Sequence, residues 1–218
     1  MTKKIWLAFP IIWTASLFLF SPGLNYYFFQ DDWFVLNWVN DSSIWDLFSF
    51  RSDIIYWRPL SMPIFFKLSN LIFDLDIFGF HLFALTFHFI NSILIYLLFR
   101  ELKFKNKIAI LIAFLYGTAS FHFIPLSWLS TTSYIIGPTF IFSSLIFFLR
   151  NKILISFAFF LLGLASSELT LTMIPIALLL KSQTKLLPKK IAPFGLMAAI
   201  YLVLRFILIP IPQEGQYN

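Results

Sequence analysis

From Ile77 to Phe99 the chain reads IFGFHLFALTFHFINSILIYLLF, without one Asp, Glu, Lys or Arg. A helix of that length reaches across the ~30 Å hydrocarbon core of a bilayer, where every backbone N–H and C=O needs a partner inside the segment. Similar apolar runs cover Ile5–Phe20, Ile108 to about Leu126, the stretch that ends at Leu149, Ile153–Leu180 and Ile191–Ile211. Repetition of such runs marks a polytopic membrane protein. Composition agrees. Of the 218 residues, 60% are hydrophobic and 12% charged, against about 25% charged in a soluble domain.

The net charge of +6 is a matter of sidedness and excludes a nucleic-acid footprint. Lys3, Lys4, Arg100, Lys103, Lys105, Lys107, Arg150, Lys152, Lys181, Lys185, Lys189 and Lys190 all flank apolar runs. Short basic flanks mark cytoplasmic loops. Seven of the ten acidic residues instead fall between Asp31 and Asp76. The N-terminus is therefore expected in the cytoplasm and residues 21–76 outside. A cleaved signal peptide would also fit the basic start, but no small-x-small site follows before Ser21 and Pro22. There is no cysteine, so disulfides and thiolate metal sites do not arise.

The expected order is span one over residues 1–20, an external loop over 21–76, and the remaining spans over 77–211, as a single module. Within the loop, Leu60, Ile64, Leu68, Leu71 and Leu75 recur at helical spacing, with Lys67, Ser69, Asn70 and Asp74 between them. That pattern predicts a helix lying in the interface. Ile153–Leu180 has basic residues at both ends and Glu168 in its middle. One crossing would break the charge rule, so two short helices hairpinned around Glu168 are expected. Each would be roughly 20 Å long. With Ile191–Ile211 added, the count comes to about seven spans.

The costly polar groups gather toward the external side: Asp31 and Asp32 in QDDWF, Arg58 in YWRPL, His122 before the Pro125–Trp128 turn, and Glu168. Arg205 lies inside the last span. Each has a plain reading. Adjacent aspartates can solvate a loop, an arginine can meet headgroups, and His81, His88 and Asn91 can bond a neighbouring carbonyl. Glu168 resists that treatment, because a carboxylate between apolar half-helices costs a few kcal/mol unless paired or wetted. Together these groups suit a lipid-linked phosphate. Arg58 and Arg205 would hold the phosphate, and a carboxylate would deprotonate an attacking hydroxyl. Repulsion between Asp31 and Asp32 would raise the pKa of one of them. No P-loop, GxSxG or HExxH pattern points to another class.

Five segments in order, QDDWF, YWRPLSMPIFFKLSN, FHLFALTFHFIN, FHFIPLSW and SSELTLTMIPIALLL, carry a family resemblance. The chain resembles the integral-membrane glycosyltransferases of the GT-C fold. It is most similar to the branch of protein O-mannosyltransferases and their relatives with tetratricopeptide tails. The resemblance implies a GT-C-like helical bundle. It also implies an inverting transfer of a hexosyl or mannosyl unit from a polyprenyl-phosphate sugar to a hydroxyl of a protein, glycan or lipid. It makes Asp31 the catalytic base with Asp32 as its partner, puts Arg58 at the donor phosphate, and lines the site with His88, His122, Trp128 and Glu168. It leaves open a divalent metal at Asp31 and Asp32.

Departures from the branch are Ala84 in place of Asn, Ile124 in place of an acid, and STTSY without the usual Arg and Asp. Family members carry a further C-terminal block after about seven spans, so the chain is expected to be the shared module without it. Two other readings follow: a non-catalytic subunit that needs a membrane partner, or a lipid-phosphate flippase. Phe-, Ile-, Asn- and Lys-rich usage points to an AT-rich bacterial genome, hence a multi-pass protein of the inner membrane with its site on the periplasmic face.

Overall fold

A computed structural model describes residues 7–51, 54–184 and 188–208. Among these the chain is helical, with no strand. Helix α1 (Ala8–Phe20) runs on through a 3-10 turn, Ser21–Asn25, and is followed by α2 (Asp31–Asp41), α3 (Pro63–Phe73) and α4 (Ile77–Glu101). Next come α5 (Asn106–Gly117), α6 (Phe123–Ser127) and α7 (Ser133–Leu149), then α8 (Ile153–Leu164), α9 (Met173–Thr184) and α10 (Ala192–Leu208).

Three of these stretches are long and apolar enough to cross a membrane: Ala8–Asn25, Ile77–Glu101 and Leu129–Leu149. A fourth is reached if Asn106–Gly117 and Ser120–Ser127, bent by 43°, count as one. Among the described residues, then, the expected seven spans are not shown. At 1.5 Å per residue the 12 residues of α8 and the 17 of α10 fall short of a ~30 Å core. Ile153–Leu180 does divide into two short helices, with the break at Ala165–Ser167 just before Glu168. Residues 209–211 of the expected last span, and Lys3, Lys4 and Ile5 of the first, lie outside the described residues.

The ends of α4 are set by its sequence. Asp76 caps the start, its Oδ1 accepting from the Phe78 N–H at 3.2 Å, and Arg100 sits in the last turn, where the helix dipole favours a cation. The bend after α5 has a packing cause. A Cβ on Gly117 would lie 2.8 Å from Ile12 Cγ2 and 2.9 Å from Ser92 Oγ, so α1 and α4 approach the α5 backbone directly. The Gly117 carbonyl, released by the break, accepts from Ser16 Oγ at 2.7 Å and from His88 Nε2 at 3.0 Å. Carbonyls at a buried helix end need such partners. In α7, Pro138 removes one N–H from the ladder, and Asn91 Nδ2 of α4 donates to the Ile135 carbonyl at 2.7 Å.

Two buried apolar clusters flank this axis. One joins α1 to α4 and α5 through Phe9, Ile12, Tyr96 and Ala113. The other joins α4 and α7 to α8, α9 and α10 through Leu145, Phe148, Phe160 and Phe194. A third, with Val35, Phe66, Phe80 and Leu129, seats the segment before α4 on the end of the bundle. The opposite end is the basic one, where Arg150 Nη2 meets Glu101 at 2.7 Å and ties the α4 and α7 termini together.

Candidate functional site

The segment expected as an external loop is organised. α2 begins at the acidic pair, and α3 begins with Pro63 in its first turn, a position where the missing N–H costs nothing. Gln30 turns the chain into α2 at φ +43°, a conformation that a non-glycine residue adopts at some cost in strain. Both aspartates sit in the first turn of α2, where the helix dipole favours negative charge. One residue of helical rotation then sends them to different environments.

Asp32 is buried, at 1% exposure. Its Oδ2 accepts from the Phe29 N–H at 3.0 Å. Its Oδ1 accepts from the Ser130 N–H at 2.7 Å and the Ser130 hydroxyl at 2.5 Å. Burial pushes the Asp32 carboxyl above its ordinary value of 3.8, against the opposing pull of these three donors and of His81. Asp31 has no part in that shift, so repulsion within the pair is not its cause. Asp31 is exposed and accepts no hydrogen bond from the described residues. The pair is therefore one structural carboxylate and one uncommitted one.

That division bears on the divalent ion. Both Asp32 oxygens are already occupied by protein donors, and among the described residues no group of three His, Cys, Asp or Glu could hold a metal. The pair does not fit a chelated divalent ion.

A cleft of about 560 Å³ is lined by Asn25, Tyr26, Tyr27, Phe29, Phe123 and Trp128, among others, and Phe29 lies two residues before Asp31 in the chain. Trp128 meets Phe29 edge-on at 5.8 Å. His81 spans the base of both walls. Its Nδ1 lies 2.7 Å from the Leu126 carbonyl and its Nε2 lies 2.9 Å from the Tyr26 carbonyl.

Arg58 and Glu168, 110 positions apart in the chain, form an ion pair with Nε to Oε2 at 2.7 Å. Arg58 Nη1 donates to the Ser133 hydroxyl at 3.1 Å, and its Cζ stacks 4.0 Å from the centre of the Tyr56 ring. The second oxygen of Glu168 is buried without a partner. This pairing meets the cost expected for a carboxylate between two apolar half-helices. Arg205 is half-buried on α10 and makes no ion pair among the described residues. At the Tyr201 hydroxyl its charge and that of Arg58 oppose that of Glu168.

His88 and His122 lie inside the bundle. Their rings are 4.4 Å apart, and that of Tyr116 is 4.5 Å from His122. His88 takes the plain role, bonding the Gly117 carbonyl. The structure thus assembles the sequence-derived residues in three places: Asp32, next to Asp31, against the turn that follows Trp128, Arg58 with Glu168, and His88 with His122.

Sequence reasoning missed Ser130 and Ser133. They sit three residues apart, Ser130 in the turn between α6 and α7 and Ser133 at the first position of α7, one bonding Asp32 and the other Arg58. Thr132 between them donates to the Ser61 carbonyl at 2.6 Å. The run STTSY carries no signal that separates these hydroxyls from ordinary turn residues. No protein-family model matches the chain, and neither the curated proteins nor the solved structures yield a match.

Proposed function

We propose that the chain is a membrane glycosyltransferase that moves a sugar from a polyprenyl-phosphate donor to an acceptor hydroxyl at the external face, with inversion. The observation that carries this reading is the division of the acidic pair. Asp32 is fixed by three donors, and Asp31 stands exposed, two residues after Phe29 of a 560 Å³ aromatic-walled cleft. The Leu129–Ser133 turn links Asp32, the neighbour of Asp31, to Arg58 through Ser130 and Ser133.

In the proposed reaction Asp31 accepts the proton of the acceptor hydroxyl. The acceptor oxygen bonds the anomeric carbon from the face opposite the phosphate. The carbon–oxygen bond to phosphate breaks, and its electron pair leaves with the polyprenyl phosphate. Arg58 meets the charge on the departing phosphate, with Arg205 as the second cation on that side. A positioned general base contributes about 10² to 10⁴ in rate. Asp31→Asn in the purified protein, assayed with a panel of polyprenyl-phosphate sugars, should lose transfer by that factor and keep donor binding. Transfer at the wild-type rate would remove Asp31 from the chemistry.

A further inference from the structure

Glu168, partly exposed at 27%, is too committed to line a site as a free acid. Its Oε2 is engaged by Arg58 Nε at 2.7 Å, and its Oε1 is buried. The contact is side-on. It uses the Nε–H of the guanidinium, while Nη1 reaches Ser133 and Nη2 donates to no described residue. The plane of the group is fixed from a third direction by the Tyr56 ring. A guanidinium held this way keeps terminal N–H donors for a second, planar or tetrahedral oxyanion.

The backbone around the pair is held independently of it. The Leu60 N–H donates to the Ala165 carbonyl at 3.0 Å, and the Ser61 hydroxyl donates to the Ser166 carbonyl at 2.5 Å. The segment that carries Arg58 therefore stays docked on the α8–α9 break without Glu168. Glu168, from the Nε side, sets the direction of the Arg58 fork together with Ser133.

We infer that Glu168 is a positioning residue, which aims the free Nη edge of Arg58 at the phosphate of a lipid-linked ligand. The inference rests on the donor-phosphate site proposed above. Charge and orientation act in opposite directions here, and this makes the idea testable. Removing the Glu168 charge strengthens the pull of Arg58 on any anion, whereas removing its oxygen frees the fork. Glu168→Gln loses the charge and keeps an oxygen for Nε, and Glu168→Ala loses both.

The test is calorimetric titration of the full chain, in a neutral maltoside detergent, with dodecyl phosphate. Glu168→Ala should bind about tenfold more weakly than Glu168→Gln, the size expected for a hydrogen bond to a charged group. The gap should vanish when both are made in an Arg58→Gln background, because the effect passes through Arg58. Equal or tighter binding by Glu168→Ala overturns the inference, and so does a gap that persists without Arg58. A wild-type chain that binds no dodecyl phosphate overturns the donor-phosphate reading itself. Inorganic phosphate is titrated in parallel. Weaker binding than dodecyl phosphate supports a lipid headgroup as the source, and equal binding counts against a lipid-linked donor.

Discussion

Asp32→Ala is the substitution whose consequence can be worked out most fully. The side chain accepts three hydrogen bonds, from the Phe29 N–H, the Ser130 N–H and the Ser130 hydroxyl, between 2.5 and 3.0 Å. Truncation leaves two backbone N–H groups without an acceptor in a part-buried setting, while the hydroxyl can rotate. Each orphaned donor costs about 1–3 kcal/mol. Relief from burying a carboxylate offsets part of this, so the net loss is about 2–4 kcal/mol. For a chain of this size each kcal/mol lowers the midpoint by about 2–4 °C, which places the drop on the order of 10 °C. Asp31→Ala, at an exposed position without partners, should stay within about 0.5 kcal/mol of wild type. Thermal unfolding of the two variants in one detergent compares them directly. Asp32→Asn keeps one acceptor oxygen and should fall between them. Equal midpoints for Asp31→Ala and Asp32→Ala would refute the assignment of separate roles.

The pH dependence follows from the same residue. Burial raises the Asp32 carboxyl above its ordinary 3.8, so the folded state binds this proton more tightly than the unfolded state. Its contribution to stability is fully present below about 3.8 and is lost as pH rises through the raised value. Unfolding midpoints of wild type minus those of Asp32→Asn should fall with pH across that window, and a difference that grows with pH would reverse the sign. Gly117→Ala forces a methyl to within 2.8 Å of Ile12 and 2.9 Å of Ser92. It should destabilise by about 1–3 kcal/mol, read as a lower unfolding midpoint, and no loss would mean that α1 does not pack on α5 at this contact.

What could be read in advance was whatever charge or periodicity marks. The limits of α4 follow from Asp76 and Arg100, and the break in Ile153–Leu180 follows from the basic residues at both its ends, which a single crossing would place on opposite sides. The interface-type spacing from Leu60 to Leu75 corresponds to α3. Other features leave no such mark. Thr118 and Ala119 interrupt the third apolar run without a proline or charge between them, because tertiary contacts on the Gly117 carbonyl stabilise the break. Asp31 and Asp32 are the same residue type side by side, and only the start of α2 at that point separates an exposed position from a buried one. His88 could bond a carbonyl or line a site, and its partner, the carbonyl of Gly117, comes into being only through the bend.

The turn from Leu129 to Ser133 unites these observations. Its fold is local, a 3-10 turn running into α7, yet its hydroxyls reach two separate parts of the chain, the start of α2 and the Arg58–Ser61 segment. Ser130 holds Asp32 and so fixes the start of α2. Thr132 holds Ser61, and Ser133 holds Arg58, whose other partner is Glu168 at the α8–α9 break. A displacement of this turn would therefore change the direction of the Arg58 fork and the setting of Asp31 together. The two halves of the proposed chemistry, base and phosphate anchor, are coupled through three small hydroxyls instead of through a charged residue. This is the physical sense in which STTSY can stand where the resembling family carries Arg and Asp. A turn that needs to hold two ionic groups in register requires short, rotatable donors, and a further charge placed between Asp32 and Arg58 would compete with one of them.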